Sequence, residues 1–140
     1  MKHKAIQTVA RLRRLALDDA SQALSRALAA ESAAAARAEE ATRQIADEAA
    51  AASSLAGTDA TVEAFAAWLP GARRHEAETR DACEHAGAEV ARLRAVLTAS
   101  RAAYEAVEAL LAQRTEALAK ERDRRSQAEL DEVGRQTEPR

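Results

Sequence analysis

The stretch SSLAGTDATVE, residues 53–63, decides the fold that this sequence predicts. Gly57 suits the left-handed conformation found just past a helix end, and Thr58 or Asp59 can cap the helix that follows. Glu63 favours the positive N-terminal end of that helix. The sequence on either side is rich in alanine, leucine and charged residues, which is typical of long helices. We therefore predict two long helices joined by one short turn.

The predicted architecture is all-α. The first helix covers residues 4–56, where the sequence has no Gly and no Pro. The turn covers 57–59, the second helix covers 60–133, and the tail 134–140, with one Gly and one Pro, is expected to fray. Two long helices joined by a short turn run antiparallel. We therefore expect residues 1–140 to form a single elongated coiled-coil domain, with the second helix longer than the first.

Apolar spacing predicts how the helices face each other. On the second helix, steps of three and four define a seam with Ser100 and Arg114 as its polar positions: Cys83, Ala86, Val90, Leu93, Leu97, Ser100, Tyr104, Val107, Leu111, Arg114 and Leu118. The stripe on the first helix skips Glu31 and is mostly alanine: Val9, Leu12, Ala16, Ala20, Leu24, Ala27, Ala34, Ala38, Ala41, Ile45, Ala52 and Leu55. The numbers of facing residues should add up to about 116, which leaves the second helix unpaired beyond Leu111.

The stretch EAFAAWLPGARRHE, residues 63–76, concentrates the bulky and the helix-breaking side chains. Proline removes an internal hydrogen bond, so we predict a kink or a one-turn break near Pro70. A true helix–loop–helix, with Pro70 starting a new helix, is the alternative. Phe65 and Trp68 either plug the hairpin near its turn or form the exposed anchors of a protein interface. The sequence leaves both interpretations open.

The sequence offers few candidate catalytic or metal-binding residues. The segment HEAET, residues 75–79, lacks the second histidine of a zinc-protease motif, and Cys83 and His85 lie on different sides of a helix. A two-helix coiled coil offers no water-excluding cleft to shift carboxylate pKa values. We expect no enzymatic activity, no metal and no cofactor. The net charge of −2 gives no general attraction to nucleic acid, so we expect none as a partner.

The location expected from the sequence is cytoplasmic. A single cysteine, Cys83, excludes an intramolecular disulfide and suits a reducing compartment. The sequence contains no run of about 18 apolar residues, so we expect no membrane-spanning helix. The basic start of the chain is not followed by the apolar region of a secretory signal.

Two motifs near the start and the middle of the chain resemble one family. The segment LDDASQAL, residues 17–24, is similar to an early helix segment of the flagellar export protein FliJ family. The segment EAFAAWLPGA matches that family's spacing of Phe, Leu and Ala at Phe65, Leu69 and Ala72. The size and the pair of long antiparallel helices are also similar to those of the family.

A third motif lies near the C-terminus. The segment RRSQAELDEVGRQ, residues 124–136, resembles the C-terminal signature of the FliJ family. In that signature a basic, glutamine-containing turn leads to an apolar residue and then Asp-Glu, here Leu130, Asp131 and Glu132.

The resemblance implies a soluble component of the flagellar type III export apparatus. Such a stalk inserts into the ring of the export ATPase FliI, binds the cytoplasmic domain of the export gate protein FlhA and escorts export chaperones. It is cytoplasmic and associates peripherally with the inner membrane through the export apparatus. The implied gate contacts are Phe65, Trp68, Leu69, Ala72 and Glu76. The implied ATPase contacts are Arg122, Arg124, Arg125, Leu130, Asp131 and Glu132.

Two alternatives accompany this interpretation. The chain could be the equivalent stalk of a virulence type III secretion system, which the sequence separates poorly from a flagellar one. It could also be a generic structural coiled coil that associates with itself.

Overall fold

The structure is a computed structural model that describes residues 2–54 and 57–138. It contains two helices, α1 (His3–Ala52) and α2 (Asp59–Thr137), and no strand among the described residues. The helices pack against each other, which confirms the predicted all-α hairpin.

The chain divides into two compact units, and both helices contribute to each. Unit 1 comprises Met1–Asp19 and Thr98–Arg140, and unit 2 comprises Ala20–Leu97. The assignment of the whole chain to a single domain stays a prediction.

The helices are antiparallel within each unit. In unit 1 the guanidinium carbon of Arg14 lies 5.5 Å from the ring centroid of Tyr104. In unit 2 a carboxylate oxygen of Glu31 lies 3.3 Å from the point where a Cβ on Gly87 would stand. The residue numbers in each pair add up to 118, so the predicted register of about 116 is correct to within two residues.

The predicted seam of α2 is confirmed at all positions but one. Arg114 is exposed, whereas the other positions are buried or half-buried. Val90 and Leu93 are the most deeply buried of them, with 3% and 9% of their surface exposed. The seam also continues towards the turn through Thr79, whose hydroxyl donates to the carbonyl of His75 at 3.0 Å. That hydrogen bond lets a polar side chain be buried without an unpaired group.

The predicted stripe of α1 is correct at its first position, the half-buried Val9, and wrong at the next two, Leu12 and Ala16. Leu12 is 59% exposed and Ala16 is also exposed, whereas Ile6 and Ala10 are buried. Apolar residues occur on several faces of this first segment, so steps of three and four can be drawn along more than one line. The facing residues of α2 decide between these lines: Ile6 lines a groove with Leu110 and other residues of α2.

The rest of the α1 stripe is confirmed. From Ala20 to Ala52 every predicted position is buried or half-buried, while Leu55 lies outside the described residues. Glu31, which the predicted stripe skips, is in fact half-buried beside Gly87. The absence of a side chain at Gly87 leaves room for the carboxylate of Glu31 between the helices.

The first helix ends earlier than predicted, at Ala52 rather than at residue 56. The hydroxyl of Ser53 donates to the carbonyl of Ala49 at 2.8 Å, and that of Ser54 donates to the carbonyl of Ala51 at 2.9 Å. Such local hydrogen bonds compete with continued helix.

Thr58 caps α2. Its hydroxyl accepts a hydrogen bond from the backbone N–H of Thr61, and the Thr61 hydroxyl accepts one from the N–H of Thr58, both at 3.3 Å. This reciprocal arrangement is a capping box with threonine in place of the usual acid or amide. The predicted left-handed conformation of Gly57 is wrong, since no described glycine has a positive φ. Glycine is instead required by space, because a Cβ there would lie 2.8 Å from the carbonyl oxygen of Ala52.

α2 continues through Pro70 without a turn, so the helix–loop–helix alternative is wrong. The carbonyl of Ala66 has no N–H donor at Pro70, and both residues are exposed, which leaves this acceptor on the water-facing side. The predicted one-turn break is also wrong, because residues 59–137 form one unbroken helix. A kink at Pro70 stays a prediction.

The helix also extends beyond its predicted end at residue 133. It reaches Thr137, whose hydroxyl donates to the carbonyl of Val133 at 3.1 Å. The side-chain amide of Gln136 donates to the carboxylate of Glu132 at 3.3 Å. These contacts between residues four apart support the last turns and place Gly134 inside the helix.

Candidate partner-binding surfaces

Two aromatic side chains of unit 2 lie together on α2. The ring centroids of Phe65 and Trp68 are 5.9 Å apart and the rings are inclined by 38°. Residues three apart are neighbours on a helix surface, which explains the contact. Phe65 is half-buried, whereas Trp68 is 40% exposed. Phe65 and Trp68, hereafter the aromatic pair, thus combine an inward and an outward ring.

The other residues of the implied gate contact belong to the seam. Leu69, Ala72 and Glu76 are half-buried, like Phe65. Their spacing continues without interruption into Thr79, the buried seam residue described above. The plug interpretation of Phe65 therefore agrees with its position between the helices. The gate-binding role of these residues stays a prediction.

Trp68 separates two surface grooves, each formed by both helices within unit 2. The groove on the turn side is lined by Glu48, Ala51, Ala52, Thr61, Ala64 and Phe65. The groove on the other side is lined by Ala41, Gln44, Gly71, Ala72 and His75. The α1 residues of these grooves were not predicted from the sequence as part of a site. The predicted register could have identified them, since it pairs Gln44 with Ala72.

Glu76 is held by arginines of its own helix. Its side chain is 14% exposed, and its carboxylate lies 3.5 Å from Arg80 and 4.0 Å from Arg73. The arginine side chains are largely exposed, so these ion pairs contribute little to stability. They do leave positive charge along the edge of the seam next to the aromatic pair.

The C-terminal part of α2 in unit 1 has no packing partner among the described residues. Leu118 is the last half-buried residue, and every residue from Ala119 to Glu138 is exposed. We call residues 119–137 the overhang. It begins later than the predicted end of pairing at Leu111, because Ala117 still lines a groove with Ile6.

All six residues of the implied ATPase contact lie in the overhang. Leu130 is 66% exposed, more than any other exposed large apolar side chain of the described chain. The guanidinium of Arg125 donates to the carboxylate of Glu121 at 2.5 Å, and Asp131 accepts a hydrogen bond from Gln127 at 3.0 Å. Some charged and polar side chains of the overhang thus pair with residues four apart on the same helix, and the overhang presents charges of both signs to solvent.

Unit 1 also contains a charged aromatic contact that the sequence analysis missed. Arg14 lies over Tyr104 and pairs with Asp18 at 3.4 Å. The hydrogen bond to Tyr104 and the nearby Asp18 carboxylate raise the pKa of the Arg14 guanidinium. On the surface of unit 2, Arg92 donates to Glu89 at 2.6 Å and lowers the pKa of that carboxyl.

Within residues 2–54 and 57–138, no group of three or more His, Cys, Asp or Glu side chains could hold a metal ion. Cys83 is a half-buried free thiol in the seam. Neither α1 nor α2, over the part of the chain that the structure describes, contains a stretch apolar enough to cross a membrane.

The sequence matches the family model described as flagellar FliJ protein over residues 1–137. The chain belongs to the flagellar FliJ family. No curated protein and no solved structure matches it. Membership of the FliJ family confirms a coiled-coil protein associated with flagellar type III export. The overhang and Trp68 of the aromatic pair are exposed on this FliJ-family chain.

The position of Phe65 predicts a stabilising role. Phe65→Ala should lower the free energy of unfolding by about 1–2 kcal/mol, less than for a fully buried phenylalanine, because part of the ring is already exposed. Val62, one turn earlier and 51% exposed, provides the control: Val62→Ala should leave stability almost unchanged. Urea unfolding followed by helical circular dichroism measures both variants. Equal effects would show that Phe65 is not part of the packed seam.

Proposed function

We propose that this FliJ-family protein is the coiled-coil stalk that enters the ring of the export ATPase FliI. The observation that supports the proposal is the overhang, a helix of five turns with every side chain exposed. An isolated helix of that length is marginal in water, so a partner that packs against it would stabilise it considerably.

The proposed ATPase contact is mixed in charge and centred on one apolar residue. Its residues are Arg122, Arg124, Arg125, Leu130, Asp131 and Glu132. Arginine is an effective interface anchor, and the exposed leucine would add apolar surface that a partner can remove from water. The acidic pair would favour one orientation of the helix against the partner. The protein itself would catalyse nothing in this role and would act on the ATPase through assembly.

We further propose that the aromatic pair forms the contact with the cytoplasmic domain of the export gate protein FlhA. Trp68 is the exposed anchor, and the two grooves beside it can receive side chains of the partner. Phe65, Leu69, Ala72 and Glu76 would contribute through the edges that the seam leaves exposed. In this role Phe65 also packs against the ring of Trp68.

The remaining parts of the proposal concern place and cargo. The protein would work in the cytoplasm, peripherally associated with the inner membrane through the export apparatus, and would escort export chaperones. The match to the flagellar family favours a flagellar system over a virulence type III secretion system. It also argues against self-association as the sole role of the coiled coil.

The ATPase contact predicts a gain of FliI activity. Purified FliI should hydrolyse ATP faster and form rings when this protein is added. Leu130→Ser combined with Asp131→Lys and Glu132→Lys should weaken the interaction about tenfold or more, because an anchor and its neighbouring charges are lost. The matched control is Leu28→Ser with Arg26→Glu, an exposed site in unit 2. An unchanged FliI activity with the unaltered chain would contradict the proposal.

The proposed gate contact predicts that replacing Trp68 lowers the affinity for FlhA. Trp68→Ala should weaken binding to the FlhA cytoplasmic domain by about tenfold, as expected for an interface tryptophan, while helix content is retained. Val96→Ala is the control, since Val96 is exposed to a similar degree elsewhere in unit 2. Isothermal titration calorimetry measures the affinity of both variants for the FlhA cytoplasmic domain. Binding that survives Trp68→Ala would leave the aromatic pair with only its packing role.

A further inference from the structure

One face of the overhang continues the line of the α2 seam beyond Leu118. Steps of three and four lead along this face, and all its members are exposed: Glu121, Arg124, Arg125, Ala128, Asp131, Glu132 and Arg135. We call these seven residues the charged face. At about 100° per residue, all of them lie within about 60° of Ala128 around the helix, whereas Leu130 and Val133 lie on the other side.

The charged face is complementary to an antiparallel copy of itself. If two overhangs overlap completely, residue 119 of one lies opposite residue 137 of the other, and the numbers of facing residues add up to 256. Ala128 then lies opposite itself, where its small side chain lets the two helices approach closely. All six charged residues lie opposite a residue of the other sign, in the pairs Glu121 with Arg135, Arg124 with Glu132, and Arg125 with Asp131.

The other charges of the overhang do not oppose this register. They face residues without charge, since Lys120, Arg122, Asp123 and Glu129 lie opposite Gln136, Gly134, Val133 and Gln127. Every other antiparallel register of two overhangs gives at most two pairs of opposite charge. A parallel arrangement would place each charge against its own copy. The order of charges therefore selects complete antiparallel overlap.

The first helix leaves this side of α2 open. Facing residues of unit 1 add up to 118, so α1 begins with His3 opposite residue 115 and stops short of the overhang. The overhang of a partner subunit would begin opposite residue 119 and continue the line that α1 leaves. The chain cannot cover the charged face with its own C-terminus, because α2 runs as one helix to Thr137.

We propose that the chain forms a twofold dimer in which two overhangs pair through their charged faces, antiparallel and with complete overlap. Arg124 lies beside the partner's Glu132, and the flanking pairs follow the same register. The twofold axis passes by Ala128 and repeats each of the three pairs. Because the pairs are exposed and bury little apolar surface, the dimer is weak and dissociates as the salt concentration rises.

Contacts within each overhang connect these pairs into networks. Arg125 donates to Glu121 at 2.5 Å, and both residues belong to the charged face. In the dimer, Arg125 also faces the partner's Asp131, and Glu121 faces the partner's Arg135. Four charges of alternating sign thus lie together on each side of the axis, and exposed ion pairs contribute more in such networks than alone.

The dimer has a consequence for the ATPase contact, and this consequence alone rests on the proposed function. The charged face contains four of the six residues that we propose to bind FliI, whereas Leu130 stays exposed in the dimer. Self-association and FliI would therefore compete for the overhang. The dimer itself is tested in the absence of FliI, so its failure and the failure of the stalk proposal are separate results.

Charge exchange on the charged face tests the dimer directly. Sedimentation of the full chain over a concentration series should show a dimer that dissociates at high salt. Arg124→Glu and Glu132→Arg should each weaken it about tenfold, since each change places like charges together twice. The double variant should regain the affinity, and an equimolar mixture of the two single variants should form a mixed dimer.

The matched control lies two residues before Arg124. Arg122→Glu makes the same change in net charge, but residue 122 is turned about 120° from Ala128 and faces no charged residue in the dimer. The affinity should therefore stay almost unchanged.

Three results would overturn the proposal. The chain could remain monomeric at all concentrations with its helix content intact. It could dimerise with an affinity that Arg124→Glu and Arg122→Glu lower equally, which would show a dependence on net charge alone. The two single variants could also fail to form a mixed dimer although the unaltered chain dimerises.

Discussion

The packing of the α2 seam against the alanine-rich face of α1 is the constraint on which the rest of the structure depends. Val90 and Leu93 supply large apolar surface from one side, and Ala34 and Ala41 let the helices approach closely from the other. Alanine itself buries little area, so the stability of the pairing comes mainly from the larger side chains of α2. A wrong register would expose these side chains.

The same seam determines which surfaces remain for partners. Phe65 lies on the seam and is covered, whereas Trp68, three residues later, points away from it and stays exposed. The seam ends at Leu118, and the helix that follows has nothing in the described chain to pack against. The described chain thus has two separate exposed surfaces, one beside the seam at Trp68 and one beyond its end.

The sequence predicted these features to different degrees. The α2 seam was predictable because its leucines, valines and tyrosine stand out against alanine, and only the exposed Arg114 departs from it. The start of α1 was not predictable, because Ile6 lies on a different face from Leu12 and Leu15 and only the partner helix decides which face is covered.

The turn and the proline show the limits of local signals. Gly57 was correctly placed in the turn, although for the wrong reason: it avoids contact with a carbonyl and does not adopt a positive φ. The effect of Pro70 was also not decided by the sequence, because packing before and after it maintains one helix. Of the candidate sites, the exposure of the overhang was predictable from helix lengths, but the burial of Phe65 required the seam.

The seam divides α2 into a part that is packed against α1 and an exposed overhang. Hydrogen exchange of the full chain, measured by mass spectrometry at a concentration low enough to keep it monomeric, tests this most directly. Amides of residues 119–137 should exchange much faster than those of residues 86–97, and addition of FliI should slow the former selectively. Equally slow exchange in both segments of the isolated monomer would contradict the claim, because the overhang would then be packed against part of its own chain.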